Sequence, residues 1–362
     1  MLNNVKVLDL TRVLAGPLCT MTLGDLGADI IKVERPRVGD DTRGWGPPFD
    51  ERGESAYYLS INRNKKSIAL DLDNEEDQRV ITELAAKADV VVDNFRPGTL
   101  ERRKLDPLDL LERNRRLIWC TITGFGESNP RAGYDLVVQA ESGWMSITGE
   151  PGGDPMKIGV ALADIIAGKD ATIAILAALA ARDSLSDKER RIHISLLASA
   201  TAALINVAQN ALITGRDATR WGNQHPNLVP YQLFHAADRP MIVAVGNDSQ
   251  WAACSRALEL FDLVDDESLS TNAGRLAQRD RVVAGISDRL RERTAAEWIA
   301  ILDGAGVPCG IVKSVLEALR EVGASPLTGI APSVPGSVRL PPPRLDEHGG
   351  EIRRSGWDAF HD

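Results

Sequence analysis

The first thirty-five residues constrain the fold more than any other stretch. Val5 to Leu10 reads Val-Lys-Val-Leu-Asp-Leu, a buried strand. Ala15 to Ala28 carries a helical pattern, and Asp29 to Glu34 reads Asp-Ile-Ile-Lys-Val-Glu, a second strand. Strand, helix and strand in that order form a parallel βαβ unit, whose strand-to-helix turn offers free backbone N–H groups and a helix dipole to a phosphate. The turn here, Thr11-Arg-Val-Leu-Ala-Gly16-Pro17, has one glycine where the dinucleotide fingerprint needs three. Glu34-Arg35-Pro36-Arg37 also follows the second strand instead of a lone ribose-binding acid. The unit points to a nucleotide-type ligand, and its turn argues against NAD.

Strand and helix patterns go on alternating through the first half, as expected for an α/β, Rossmann-like domain with a parallel sheet covered on both faces. Lys66 to Leu70 is predicted as a strand, Asn74 to Lys87 as a helix capped by Asp73 or Asn74, and Asp89 to Phe95 as a strongly buried strand. Further helices are expected after Pro97 and Pro107, a strand over Leu117 to Thr123, and a helix from Tyr134 to Ser146. A long helix dense in alanine and isoleucine is expected from about Asp164 to Leu185. Arg191 to Ile194 is read as the last strand of this half, followed by an apolar helix from Ser195 to Ile213.

The organisation then changes. Pro240 to Val245 reads as a strand, Ser249 to Leu260 as a helix, Thr294-Ala-Ala-Glu297 as a capping box for a helix reaching Gly304, and Val307 to Val312 as a strand before one more helix. The expected division is a large domain over 1–214, completed by 326–362, with a linker and smaller α+β domain over 215–325. Past Ala324, Ser325-Pro326, Pro335-Gly336 and Pro341-Pro342-Pro343 suggest an extended crossing segment.

Composition narrows the function. A chain of 362 residues with 43% hydrophobic content has ample material for a core, and a net charge of -9 argues against a nucleic-acid partner. No apolar run reaches spanning length, and a strand starting at Val5 leaves no room for a leader, so no membrane partner and a cytoplasmic location are expected. Cys19, Cys120, Cys254 and Cys309 stand singly in apolar stretches and read as reduced thiols. The histidines show no ligand spacing, so no metal is expected.

Three constellations bear on chemistry. Arg35, Arg37, Arg43, Lys65, Lys66, Arg96, Arg102, Arg103 and Lys104 gather at predicted strand ends and loops, either as a solvated basic rim or as partners of a polyphosphate in the crevice beyond the strands. Phe95, directly after Asn94, is either a buried ring or a platform for a flat ligand ring. Asp164, at the start of an apolar helix after Gly159-Val-Ala-Leu-Ala, is either an N-cap or a functional carboxylate. Trp221-Gly-Asn-Gln-His-Pro226 is either a linker turn or a loop of the site.

Taken in order, these segments resemble the family III CoA-transferases, which also include α-methylacyl-CoA racemases. The resemblance rests on Leu10 to Pro17, Leu26 to Glu34, Gly39-Asp40, Arg43-Gly-Trp45, Asn64 to Ile68, Asp93-Asn-Phe95, Pro97-Gly98, Gly133-Tyr-Asp135, Ala163-Asp164 with Gly168, Gly222 to Pro226 and Val245-Gly-Asn247. It implies two chains interlocked as a homodimer, a topology that departs from the usual avoidance of threading. It also implies acyl-CoA and a small carboxylic acid as substrates, with no tightly bound cofactor.

By position, the resemblance gives Asp164 the role of nucleophile and Tyr134 that of an active-site tyrosine. Val13, Arg35, Leu70, Asn94, Phe95, Arg102 and Arg103 match CoA contacts, and Leu14, Trp45, Gly222, Asn223 and His225 match substrate or lid positions. The tail after Pro343 stops early, so the family's last helix is expected to be short or absent.

The implied chemistry is attack by Asp164 on a thioester to give a mixed anhydride, then an aspartyl-CoA thioester from which the acceptor acid takes CoA. The alternative is a racemase on the same scaffold, which needs an acid and a base at the α-carbon. Related racemases carry histidine where this chain has Tyr134, and a phenol is a poor base at neutral pH. A silent CoA-binding protein would have no use for Asp164. Gly149-Glu-Pro-Gly152 before Lys157 resembles members acting on small dicarboxylates, whose second charge Arg12, Arg43 or His225 would meet.

Overall fold

A computed structural model describes residues 1–322 and 330–360. The expected boundary at 325/326 and His361 lie outside the described residues. Two compact units are present: Met1–Ser146, Lys157–Ala218 and Val322–Asp362 form one, and Ile147–Met156 with Thr219–Glu321 form the other. The short segment Ile147–Met156, read above as part of the first half, belongs to the second unit.

The first unit is built on six strands, β1 (Lys6–Asp9), β2 (Asp29–Glu34), β3 (Lys65–Ala69), β4 (Val90–Asp93), β5 (Ile118–Thr123) and β6 (Arg191–Ser195), all parallel in the order β3-β2-β1-β4-β5-β6. Successive side chains of a strand point to opposite faces, and both faces here are covered, which is why consecutive residues such as Val90, Val91 and Val92 are all buried and apolar. Val7, Ile30, Val90, Val92, Ile118 and Cys120 pack with Cys19, Leu23, Ala167, Ala171 and Ile175 from the helices Ala15–Asp25 and Leu162–Ala181. Leu8, Ile31, Val91 and Trp119 face the other way, onto Ile81, Leu84 and Leu110.

A β-carbon at Gly168 would lie 2.6 Å from the Ala15 carbonyl oxygen, so this glycine permits the close approach of the two long helices. The helix Glu75–Ala86 starts at Asn74, whose side chain accepts the N–H groups of Glu76 and Asp77.

Several expected helices are shorter. Only a 3₁₀ turn, Glu101–Arg103, follows Pro97. The stretch expected to run from Tyr134 to Ser146 breaks after Asp135–Glu141, where Gly143 takes φ 92, and resumes as Trp144–Ile147. The helix expected after Ser195 divides into Leu196–Ala202 and Ile205–Thr214, bent by 74°. The tail is not extended throughout: a short helix, Gly349–Ser355, is present and seats Ile352 on the second core, and Trp357 donates its indole N–H to Leu84 O at 3.0 Å.

The second unit is an antiparallel sheet of β7 (Tyr231–His235), β8 (Pro240–Ala244) and β9 (Cys309–Ile311), backed by helices around Phe234, Met241, Trp251, Ile286 and Trp298. The capping box of Thr294 and Glu297 forms and opens the helix Ala295–Gly304. Among the described residues no single helix is long and apolar enough to cross a membrane, although Leu196–Ala202 and Ile205–Thr214 satisfy length and composition together.

Candidate active site

β1 and β4 are neighbours in the sheet, while the connections leaving them run to opposite edges. Loops after such a pair diverge and leave a crevice, the usual ligand position in an open α/β sheet. Here those loops are bolted together. The Asn94 side chain accepts the Arg12 N–H at 2.9 Å and donates to the Arg12 carbonyl at 2.7 Å. From the other side, Asp40 accepts the Val13 N–H at 3.3 Å. Val13 is thereby held at φ 72, a left-handed conformation that costs a β-branched residue strain and is found mainly where surrounding bonds enforce it.

The bolts rest on a buried charge network. Lys32 Nζ donates to Asp40 and to the Thr11 carbonyl, both at 2.9 Å, while Lys65 Nζ donates to Asp9, the Pro17 carbonyl and Asn62. Asp9, Lys32 and Lys65 are fully buried. Burial pushes the Lys65 ammonium down to about 8 despite Asp9 beside it. Burial also opposes the charge of Asp9, but Lys65 and Lys32 hold that carboxyl below the ordinary range. Lys65 is therefore not a phosphate ligand, contrary to its place in the basic cluster. Arg43 is likewise committed, donating to Glu34, Glu54 and Tyr58, and is not free to donate to a substrate carboxylate.

Two cavities flank this loop pair. The first, about 220 Å³, is lined by Val13, Leu14, Asn94, Phe95, Tyr134 and Asp164, with Arg12, Arg96 and Arg131 also in its wall. The second, about 260 Å³, is lined by Arg35, Leu70, Phe95 and Arg103 beside Asp40, Asp71 and Asp73. Arg12 and Phe95 border both cavities, the guanidinium lying over the ring at 5.6 Å. Arg35 pairs with Asp41 and Arg103 with Asp73. Arg102 lines neither cavity; it is exposed and donates to Thr99 at 3.3 Å.

Asp164 is the third residue of the helix Leu162–Ala181, one turn inside its start at Ala161, and it is not the cap. The free N–H groups of Ala163 and Asp164 go instead to Asp135 Oδ1, at 2.9 and 3.4 Å. Asp164 is 9% exposed, and its carboxylate has no hydrogen-bond partner among the described residues. Burial, and then the charge of Asp135, push its carboxyl up to about 7. A carboxylate so placed is desolvated, unbonded and in contact with a cavity.

Tyr57 was not legible as a site residue from the sequence. It meets Trp45 edge-on at 5.2 Å, and burial followed by the charges of Asp164, Asp135 and Asp40 pushes its hydroxyl up to about 12. A lone tyrosine in the short helix Ala56–Ser60 gives no spacing signal. Trp45 is 42% exposed, and Tyr134, at 59%, stands at the mouth of the first cavity. Gly222, Asn223 and His225 belong to the second unit. Gly222 adopts φ 57 and donates to Gly149 O at 3.1 Å, Asn223 is exposed, and His225 Nδ1 accepts the Asn227 N–H at 3.0 Å.

The crevice at the switch point thus carries a buried, unbonded carboxylate in its wall. The profile of CoA-transferase family III matches residues 2–327. The chain belongs to CoA-transferase family III. It is 42% identical over 370 residues to the succinyl-CoA:glutarate CoA-transferase of Mus musculus, covering 96% of this chain and 84% of that one. The succinate–glutarate CoA-transferase of Agrobacterium fabrum is 43% identical over 88% of this chain and 82% of its own length. Among solved structures, a CAIB/BAIF family protein from Brucella suis superposes with TM-score 0.84 at 38% identity, covering 98% of each chain. This family III enzyme is accordingly an acyl-CoA:carboxylate CoA-transferase, whose substrates include a CoA thioester.

Proposed function

We propose that the enzyme moves CoA from a donor of the succinyl-CoA kind to a small dicarboxylic acid of the glutarate kind, with Asp164 as nucleophile. The observation that carries this reading is the buried, unbonded carboxylate of Asp164 in the wall of the first cavity. Its attack on the thioester carbonyl breaks the C–S bond and leaves a mixed anhydride and CoA thiolate. The thiolate then attacks the aspartyl carbonyl, releasing the donor acid and leaving an aspartyl-CoA thioester. The acceptor carboxylate displaces the thiolate to form a second anhydride, and the thiolate's final attack on the acceptor carbonyl frees Asp164.

In this reading CoA lies along the two cavities, its phosphates near Arg35 and Arg103 and its flat ring beside Leu70 and Phe95. Val13 and Asn94 shape the passage, and Arg102 contributes charge from the rim. Arg12, Arg96 and Arg131 supply positive charge for the acceptor's distal carboxylate, while Tyr134 flanks the reacting carbonyl. Leu14 and Trp45 contact the acyl group, and Gly222, Asn223 and His225 form a lid.

We also assign CoA binding to the large domain read as 1–214 with 326–362, less Ile147–Met156, in an interlocked homodimer. Exposed Ile205, Leu212 and Ile213 on one helix support a covered apolar face in that assembly. The four unpaired cysteines support a cytoplasmic setting, and no step requires a tightly bound cofactor.

The test is to incubate the enzyme with succinyl-CoA and a panel of mono- and dicarboxylic acids. Glutaryl-CoA and free succinate are the expected products. Exchange of the α-proton of a branched acyl-CoA in deuterated buffer, with no CoA transfer to any acid, would replace this reading with that of a racemase.

A further inference from the structure

A helix that opens into a reactive site has a difficulty built into its geometry. Its first N–H groups need acceptors; the cap position here is Ala161, which has none to offer, and a carboxylate in the first turn is a candidate to meet the demand. An aspartate that caps its own helix is stabilised as a hydrogen-bonded anion and is a poorer nucleophile. At Leu162–Ala181 the demand is met from elsewhere. Asp135, at the first turn of the helix Asp135–Glu141, reaches across and accepts the N–H groups of Ala163 and Asp164 through one oxygen.

Its other oxygen is fixed. Oδ2 accepts from Gln139 Nε2 at 2.7 Å, one helical turn on, and Gln139 is 1% exposed. The same amide accepts the Ile158 N–H at 2.8 Å and donates to the Val160 carbonyl at 3.3 Å, so the segment entering the long helix is tied to the same pair.

We propose, building on the role of Asp164 as nucleophile, that Asp135 is the positioning residue of this site. It supplies the cap that the long helix needs and so leaves the Asp164 carboxylate unbonded against the cavity. Gln139 holds Asp135 in place for that task.

The arrangement acts through charge as well as geometry. Two carboxylates near the start of one buried helix repel each other, and the one without hydrogen bonds carries the consequence. Other ionisable groups around Asp164 are Tyr57, together with Arg12, Asp41, Arg96, Arg131 and Tyr134 in the cavity wall. Of these surroundings, Asp135 is the charge that raises Asp164 beyond the effect of burial.

Asparagine at 135 retains an oxygen for the helix N–H groups and removes the charge, whereas alanine removes both. The experiment compares wild type, Asp135→Asn and Asp135→Ala with two readouts. The first needs no substrate: carbodiimide labels protonated carboxyl groups, and peptide mass spectrometry follows its labelling of Asp164 against pH. In the wild type that labelling should fall away near pH 7, and in Asp135→Asn the fall should move down by roughly one unit.

The second readout is transfer from succinyl-CoA to glutarate, with CoA affinity measured separately. Asp135→Ala should lose about a hundredfold in kcat at nearly unchanged CoA affinity, because a misplaced nucleophile costs rate and not ground-state binding. Asp135→Asn should recover most of that loss. Coincident labelling profiles in wild type and Asp135→Asn would overturn the proposal, as would wild-type kcat in Asp135→Ala. If Asp135→Ala does not fold, the asparagine profile alone decides. Failure of the wild type to transfer CoA would count against the role of Asp164 and leave the labelling comparison standing.

Discussion

At the scale of single residues, the enzyme keeps Asp164 in a condition that folding alone would not favour. A carboxyl raised in the folded state is at its most stabilising when protonated, below the unfolded value near 4. That stability is lost as pH rises toward the folded value of about 7. Asp164→Asn, which cannot ionise, should therefore be more stable than wild type at pH 8, by up to about 4 kcal/mol. The advantage should shrink on going to pH 5, and paired urea titrations at the two pH values would show it. Equal stability at pH 8 would mean that the carboxylate is adequately solvated. The arginines separate similarly. Arg35 lines the second cavity and Arg102 does not, so Arg35→Ala should weaken CoA binding by about 1.5–3 kcal/mol and Arg102→Ala by clearly less, as measured by calorimetry. Reversed losses would move the phosphates away from Arg35.

Among elements, the βαβ opening and the parallel strands were legible because both sheet faces are covered, leaving uninterrupted apolar runs such as Val90-Val91-Val92. Strand and helix ends shifted by a few residues, as hydrogen bonding at termini allows. What escaped reading depended on distant partners. Lys32 and Lys65 sit in strands where lysine ordinarily marks a solvent face, and only the fold brings Asp40 and Asp9 to them. Asp164 looked like a cap because the true capping carboxylate, Asp135, lies 28 residues before Ala163 in the chain. β7 went unread because its alternation is short and polar at both ends. The contact between the two long helices is testable at Gly168. Gly168→Ala should cost about 1–3 kcal/mol, seen as a lower urea midpoint at unchanged slope, because the new methyl meets the Ala15 carbonyl. A neutral effect would mean that the helices part easily.

For the whole molecule, assembly and turnover are the two open expectations. If two chains interlock, dilution should not release a folded monomer, because separating linked rings requires unfolding. Sedimentation at nanomolar concentration, with circular dichroism on the same sample, checks this, and a folded monomer that accumulates on dilution would contradict it. The claim on which everything else depends is that Asp164 becomes acylated. Mixed anhydrides and thioesters react with hydroxylamine, and free carboxylates do not. Incubating the enzyme with succinyl-CoA and hydroxylamine should place a hydroxamate on Asp164, found by peptide mass spectrometry. Asp164→Asn should lose both the mark and the transfer of CoA while remaining folded. A hydroxamate found only at other residues, or full transfer by Asp164→Asn, would contradict the claim.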